Sequence, residues 1–164
     1  MTHPLVTQLE FTRREFVRVM EGVSAEEGER VIPPFNSLSF VVAHMAFHEH
    51  TMFVLLGQGV DLGLDVQVAH SGADASVPSW NDMWTQWQQI TDQADSYLQQ
   101  LAQENLHVRL RQGDREVPEV LGHTLLRVIY HYWFHLGEAH AIRQVLGHKD
   151  IPEFVGAVGT TSFE

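Results

Sequence analysis

Apolar residues recur at helical spacing in four stretches of the chain, and segments rich in glycine, proline and polar residues separate them. Spacings of three and four residues between large apolar side chains are typical of helices that bury one face. The stretches run from near Thr2 to Met20, from Asn36 or Ser37 to Gly57, from Ser79 to Leu101, and from about Pro118 to Leu146. The pattern therefore predicts four helices, with ends that are uncertain by about two to four residues.

The connections between these helices differ in length and composition. The first is polar and turn-prone up to Pro33-Pro34, and the third, from Asn105 to Pro118, is irregular or a small hairpin turning at Gly113-Asp114. The second, from residue 57 to about residue 78, contains four glycines and no sustained period. A connection this long usually crosses over or serves a site. We therefore expect an all-α fold, a four-helix bundle with an up-down-down-up topology and a long crossover between helices two and three.

Length and charge narrow the class of protein. With 164 residues and 44% hydrophobic content, residues 1–164 are expected to form one domain with a surface tail at about 148–164. The formal net charge of −11 argues against nucleic acid as a partner. No segment has the roughly 18 uninterrupted apolar residues of a membrane span, and the start lacks a basic and apolar leader, so we expect a cytoplasmic protein without a membrane partner.

Histidines carry the most distinctive chemistry in the sequence. His131 and His135 lie four residues apart in the most apolar predicted helix, and His44 lies midway along the second helix. Side chains four residues apart on a helix differ by about 40° in direction and about 6 Å along the axis, so both rings can face one point. Since the chain has no cysteine, any metal must use nitrogen and oxygen ligands. The pattern predicts a three-histidine metal site at His44, His131 and His135.

A simpler interpretation of these histidines stays open. The chain has 11 histidines, so a pair at this spacing also arises by chance, and a histidine on an apolar face is commonly a hydrogen-bonded core residue. The location of His131 and His135 on an apolar helix favours a metal. Burying two polar rings without partners costs roughly 1–3 kcal/mol each, and a metal would satisfy both.

Several other catalytic motifs are absent or broken. His48-Glu49 begins like the helix of a zinc protease, but Met52 stands where the second histidine is required. A di-iron bundle needs repeated Glu-x-x-His, and the chain has this only at Glu104 to His107. No Gly-x-Ser-x-Gly elbow and no phosphate-binding glycine-rich loop is present. Serine hydrolysis and nucleotide binding therefore lack support.

The chain resembles the DinB-like or YfiT-like metal-binding four-helix bundles. The resemblance rests on a helix-two histidine followed five residues later by a glutamate, His44 and Glu49, and on His-x-x-x-His-x-Gly-Glu from His131 to Glu138. It implies a divalent ion, nickel or zinc, held by His44, His131 and His135, and a homodimer. It also implies a transferase or isomerase that uses a low-molecular-weight thiol and acts on a small-molecule substrate.

Two residues near the predicted ligands are candidates for catalysis. His48 lies one turn from His44 and could replace it as a ligand, serve as a base, or support a ligand from outside. Glu138 could orient a ligand, shuttle a proton, or form only a hydrogen bond at a helix interface. His140 is expected to point elsewhere. We expect the segments Gly57–Pro78 and Arg109–Arg115 to wall the substrate site.

Three functions agree with these residues. The resemblance favours a metal- and thiol-dependent transferase or isomerase that acts on a small electrophile. The alternatives are a metal-dependent hydrolase of a small substrate and a non-catalytic stress protein that binds a metal or a small molecule.

Overall fold

The structure is a computed structural model, and it describes residues 2–70, 72–73, 77–113, 115–153 and 155–156. In this part of the chain most residues are helical. The helices are α1 (Pro4–Met20), α2 (Ala25–Glu29), α3 (Leu38–Glu49), α4 (Leu56–Gln58), α5 (Trp80–Leu98) and α6 (Leu121–Leu146). A π-helical segment at His50–Leu55 joins α3 to α4, and 3-10 turns lie at Gln67–Ala69 and Gln103–His107. Strands β1 (Arg109–Gln112) and β2 (Arg115–Val120) form one antiparallel hairpin.

The four long helices, α1, α3, α5 and α6, share one hydrophobic core. Helix α1 packs on α6, and α3 packs on both α5 and α6. Phe16 of α1 contacts Trp87 of α5 and Tyr132 of α6, with ring centroids 6.1 and 5.1 Å apart. The predicted mostly helical class is confirmed, while the up-down-down-up topology stays a prediction.

The helical segment Leu38–Gln58 is long and apolar. It has 21 residues, and an 18-residue window within it has a mean hydropathy of 1.2, so by length and composition alone it could cross a membrane. However, 61% of this apolar window is buried inside the fold. Such burial is typical of the core helix of a soluble protein.

A buried polar network ties the four long helices together beside this core. The Arg13 guanidinium of α1 donates to both carboxylate oxygens of Glu49 in α3, at 2.7 and 2.6 Å, and to Asp95 in α5 at 2.5 Å. The Tyr132 hydroxyl of α6 donates to Glu49 at 2.9 Å and accepts from the Trp87 indole at 2.8 Å. Because Glu49 and Tyr132 directly follow His48 and His131 in sequence, the network fixes how the histidine-bearing helices approach each other.

The connection after α1 contains a short helix that the sequence interpretation missed. Residues 25–29 were expected to be part of a polar turn, whereas they form α2. Its first turn is closed by a capping box, in which the Ser24 side chain accepts from the Glu27 amide and the Glu27 carboxylate accepts from the Ser24 amide. The Ser-x-x-Glu pattern that predicts such a box was present in the sequence.

The second helix extends one residue beyond its predicted end at Gly57, which is within the expected uncertainty of helix ends. The helical path continues to Gln58, and Gly59 follows in the left-handed conformation with φ of +72°. Gly57 serves a different purpose, since a Cβ atom there would lie 2.8 Å from the Tyr97 ring of α5. The glycine therefore permits close approach of two segments rather than ending a helix.

The predicted fourth helix starts later than expected. Pro118 lies in β2, and α6 begins at Leu121, because the hairpin extends to Val120. The small hairpin expected between Asn105 and Pro118 is confirmed, with Gly113 at the turn at φ of +58°. Asp114 lies outside the described residues, as does most of the predicted tail, namely residues 154 and 157–164.

Candidate metal centre

Helices α3 and α6 bring four histidine rings together. His44 and His48 lie one turn apart on α3, and His131 and His135 lie one turn apart on α6. The His131 Nε2 atom lies 3.2 Å from His44 Nε2 and 3.0 Å from His135 Nε2. His44 and His135 are both buried, with 8% of their surface exposed. The structure thus brings together the three predicted ligands, whose binding of a metal stays a prediction.

The outer nitrogens of two rings are held by the surrounding protein. His44 Nδ1 donates to the Ala69 carbonyl at 2.6 Å, and His135 Nδ1 lies 2.7 Å from a Glu138 carboxylate oxygen. A carbonyl or carboxylate oxygen accepts a hydrogen bond, so each Nδ1 carries a proton. In the neutral rings, Nε2 is then an unprotonated acceptor that faces the cluster.

The Nε2 atoms of His44, His131 and His135 carry too few protons to satisfy one another by hydrogen bonds. His44 and His135 both present Nε2 lone pairs to His131 Nε2. His131 can donate its single proton there to only one of them, which leaves one pair of acceptors facing each other. A cation among the three nitrogens satisfies all of them, so the donor set fits a metal better than it fits a hydrogen-bonded core.

The spacing of these atoms also fits a metal. Zinc bound by histidine has Zn–N distances of about 2.0–2.1 Å, which in tetrahedral geometry places ligand nitrogens about 3.3 Å apart. The observed separations of 3.2 and 3.0 Å are close to this value.

His48 forms a second, overlapping set with two of these residues. Possible ligand atoms of His44, His48 and His131 all lie within 4.8 Å of one another. The His48 ring centroid is 4.3 Å from that of His131 and 4.7 Å from that of His44. His48 is therefore near enough to act as a fourth ligand, a replacement ligand or a base, as the sequence left open.

Burial and crowding keep the rings of His44, His48 and His131 neutral. Burial, and then the charges of His44 and His135, lower the pKa of His48 to about 4. Burial, and then the charge of His48, lower the pKa of His131 to about 3. Burial also lowers the pKa of His44, against the opposing effect of its bond to the Ala69 carbonyl. Near neutral pH these rings therefore offer lone pairs without losing a proton first.

These pKa values predict how the metal-free protein responds to acid. In the unfolded chain histidine has a pKa of about 6.5, so below this pH the unfolded state binds more protons than the folded state. Stability should fall as pH drops from 7 to 5, by up to about 1.4 kcal/mol per pH unit for each of His48 and His131, less their partial exposure. Urea denaturation in the presence of a chelator measures this slope.

The matched control for this slope removes the two titrating rings. A variant with His48→Gln and His131→Gln should lose most of the dependence between pH 7 and 5. Equal slopes for this variant and the wild type would show that the two histidines do not cause the loss of stability.

An open groove of about 760 Å³ leads to one side of the cluster. Its lining consists of His48, Glu119, His123, Leu126, Arg127, Tyr130 and His131. The sequence predicted two segments as walls of the substrate site. The first, the loop after α4, contacts the cluster through the Ala69 carbonyl. In the second, Arg109 and Arg111 pair with Glu116 instead. The lining contains Glu119 from the end of β2, so the hairpin contributes through a residue that the sequence analysis did not name.

His140 lies away from the cluster, as predicted. It lines a separate cavity of about 660 Å³ between α1 and α6, together with Glu15, Arg18 and Trp133. This cavity is therefore distinct from the histidine site.

Glu49 has a structural role that its place in the sequence pattern did not reveal. Its carboxylate is fully buried and bound by Arg13 and Tyr132. The sequence also holds no signal for the Ala69 carbonyl that contacts His44. Arg127, which lines the groove one helical turn before His131, was missed as well.

Comparison with known protein families agrees with this geometry. A sequence model of the DinB superfamily matches residues 8–139, which is most of the chain and includes all four histidines. The chain belongs to the DinB superfamily, and the family predicted from its sequence is confirmed. No curated protein in the comparison matches it. The histidine cluster fits a metal-binding member of this superfamily.

Proposed function

We propose that His44, His131 and His135 hold a divalent metal ion, and that the protein uses it to join a low-molecular-weight thiol to a small electrophile. The observation that carries the metal site is the position of His131 Nε2, 3.2 and 3.0 Å from the Nε2 atoms of His44 and His135, whose Nδ1 atoms are held by Ala69 and Glu138. Membership of the DinB superfamily supports the same site. The reaction would be a transfer or an isomerisation.

Different residues of the chain have separate roles in such a reaction. A divalent ion held there supplies a Lewis acid that lowers the pKa of a coordinated thiol or water. Glu138 positions His135 by accepting from its Nδ1 atom. His48 lines the groove as a neutral ring, so it can accept the proton that the nucleophile loses. Because the chain has no cysteine, the thiol comes from outside.

The remaining parts of the proposal concern the ion and the assembly. A nitrogen-only ligand set suits nickel or zinc. The long loop between α4 and α5 supports a bundle with a crossover between its second and third long helices.

We further propose that the protein is a cytoplasmic homodimer without nucleic-acid or membrane partners. The α6 side chains Tyr130 and Phe134 are 65% and 70% accessible, and they offer apolar surface for the dimer.

An activity screen tests the proposed reaction. Protein loaded with nickel or zinc is incubated with monobromobimane, a neutral electrophile, and with a panel of low-molecular-weight thiols. We expect at least one thiol to be consumed about 10-fold faster than without protein, since activation of a nucleophile contributes at least this much. His140→Ala should keep this rate, and His131→Ala should reduce it to background.

The same screen separates the alternatives. Hydrolysis of a p-nitrophenyl ester without any thiol would identify a metal-dependent hydrolase instead. Full metal loading without thiol transfer or hydrolysis would favour a non-catalytic binding protein.

A further inference from the structure

Arg127 is the only arginine or lysine among the described residues that line the groove beside the histidine cluster. It precedes His131 by one helical turn, which places the two side chains about 6 Å apart along the same face of α6. In a chain with a net charge of −11, an anion that enters this groove meets a cation of the described lining only here, where Arg127 is paired with Glu119.

Only some of the N–H donors of the Arg127 guanidinium form hydrogen bonds with described residues. Glu119 accepts hydrogen bonds from its Nε and Nη2 atoms, at 2.8 Å for Nε. Within the described residues no hydrogen bond involves Nη1. Since guanidinium has five N–H donors in a planar fork, the remaining donors can bind a second carboxylate.

A divalent ion at the histidine cluster would add positive charge one helical turn from Arg127. Histidine ligands carry no negative charge, so they would leave the charge of the ion uncancelled. Of the described carboxylates, only Glu138 bonds to one of these rings, and it does so from outside. Leu126 and Tyr130 add apolar surface to the lining of the same groove. This arrangement suits an organic anion better than a small inorganic one.

We infer that Arg127 binds the carboxylate of an organic acid substrate, whose reacting end lies one helical turn away at the histidine cluster. This inference rests on the proposed function and adds that anionic electrophiles are its preferred substrates. Glu119 then acts as a competing internal carboxylate that holds Arg127 in place when the groove is empty.

Binding of succinate, with its neutral diamide succinamide as the matched probe, tests this assignment. Protein loaded with cobalt(II), whose visible absorption reports on its ligands, is titrated with each compound. Succinate should bind at least about 10-fold more tightly than succinamide, as expected for a charge-assisted hydrogen bond. Arg127→Gln should weaken succinate binding by about 10-fold and leave succinamide binding unchanged, and Glu119→Gln should strengthen succinate binding. Arg111→Gln, which alters an exposed arginine paired with Glu116 elsewhere, should leave it unchanged.

A second measurement separates failure of the inference from failure of the metal site. In metal-free protein, the Nε–H resonance of Arg127 is followed by NMR during the succinate titration. A shift of this resonance in protein that takes up no cobalt would support the anion site and contradict the metal centre. Cobalt uptake with equal binding of succinate and succinamide, or with unchanged succinate binding in Arg127→Gln, would overturn the inference.

Discussion

Replacing Glu49 with alanine is expected to destabilise the protein by about 3–5 kcal/mol, which is the usual cost of removing one partner from a buried ion pair. The Glu49 side chain is fully buried and accepts from Arg13 and Tyr132. Its loss leaves a buried guanidinium whose only ionic partner among the described residues is Asp95. Burial opposes the charge of Arg13, but Glu49 together with Tyr132 and Asp95 raises the pKa of that guanidinium above its usual value, so it stays charged. Urea denaturation followed by circular dichroism measures the change.

Two controls distinguish the buried pair from charge in general. Glu116→Ala removes a carboxylate that pairs with Arg109 and Arg111 at the surface, and its denaturation midpoint should match that of the wild type. The double variant Arg13→Met with Glu49→Leu should be more stable than the sum of its single changes, because no unpaired charge remains. A loss below about 1 kcal/mol in Glu49→Ala would contradict the role assigned to the network.

Replacing His131 with alanine is expected to lower the affinity for zinc or cobalt by at least about 100-fold. His131 Nε2 is the atom that approaches both other predicted ligands, at 3.2 and 3.0 Å, so its removal opens the centre of the set. Even loss of an outer-shell partner commonly costs about 10–100-fold in metal affinity. Competition with a chromophoric chelator measures the affinity.

Further variants decide which rings act as ligands. Glu138→Gln should weaken binding by about 10-fold, since it supports His135 only through Nδ1. His140→Ala should bind as the wild type, because it lines the other cavity. A larger loss in His48→Ala than in His44→Ala would assign the third ligand to His48. Unchanged metal affinity in His131→Ala would refute the metal centre formed by His44, His131 and His135.

The local part of the candidate site could be predicted from the sequence because helix geometry fixes it. A spacing of four residues brings His131 and His135 to one face of any helix, and the apolar pattern identified α6 as a helix. His44 could be chosen only as a reasonable third ligand. Its approach to His131 depends on how α3 packs against α6, and no local pattern encodes this packing.

Contacts between distant parts of the chain could not be predicted. Arg13 and Glu49 are separated by 36 residues, and both look like ordinary surface charges on their own helices. The Ala69 contact to His44 uses a backbone carbonyl, which every residue carries. Gly57 illustrates the same limit, since a glycine that relieves a close contact with Tyr97 looks in sequence like one that ends a helix.

The metal content of the purified wild-type protein tests the central claim most directly. The protein is loaded with zinc or nickel at neutral pH, dialysed, and measured by elemental analysis beside the double variant His131→Ala with His135→Ala. Convergence of His44, His131 and His135 predicts about one ion per chain in the wild type and none in the variant, which should remain folded and helical. Absence of a stoichiometric metal in the wild type, or equal retention by the variant, would contradict the metal centre.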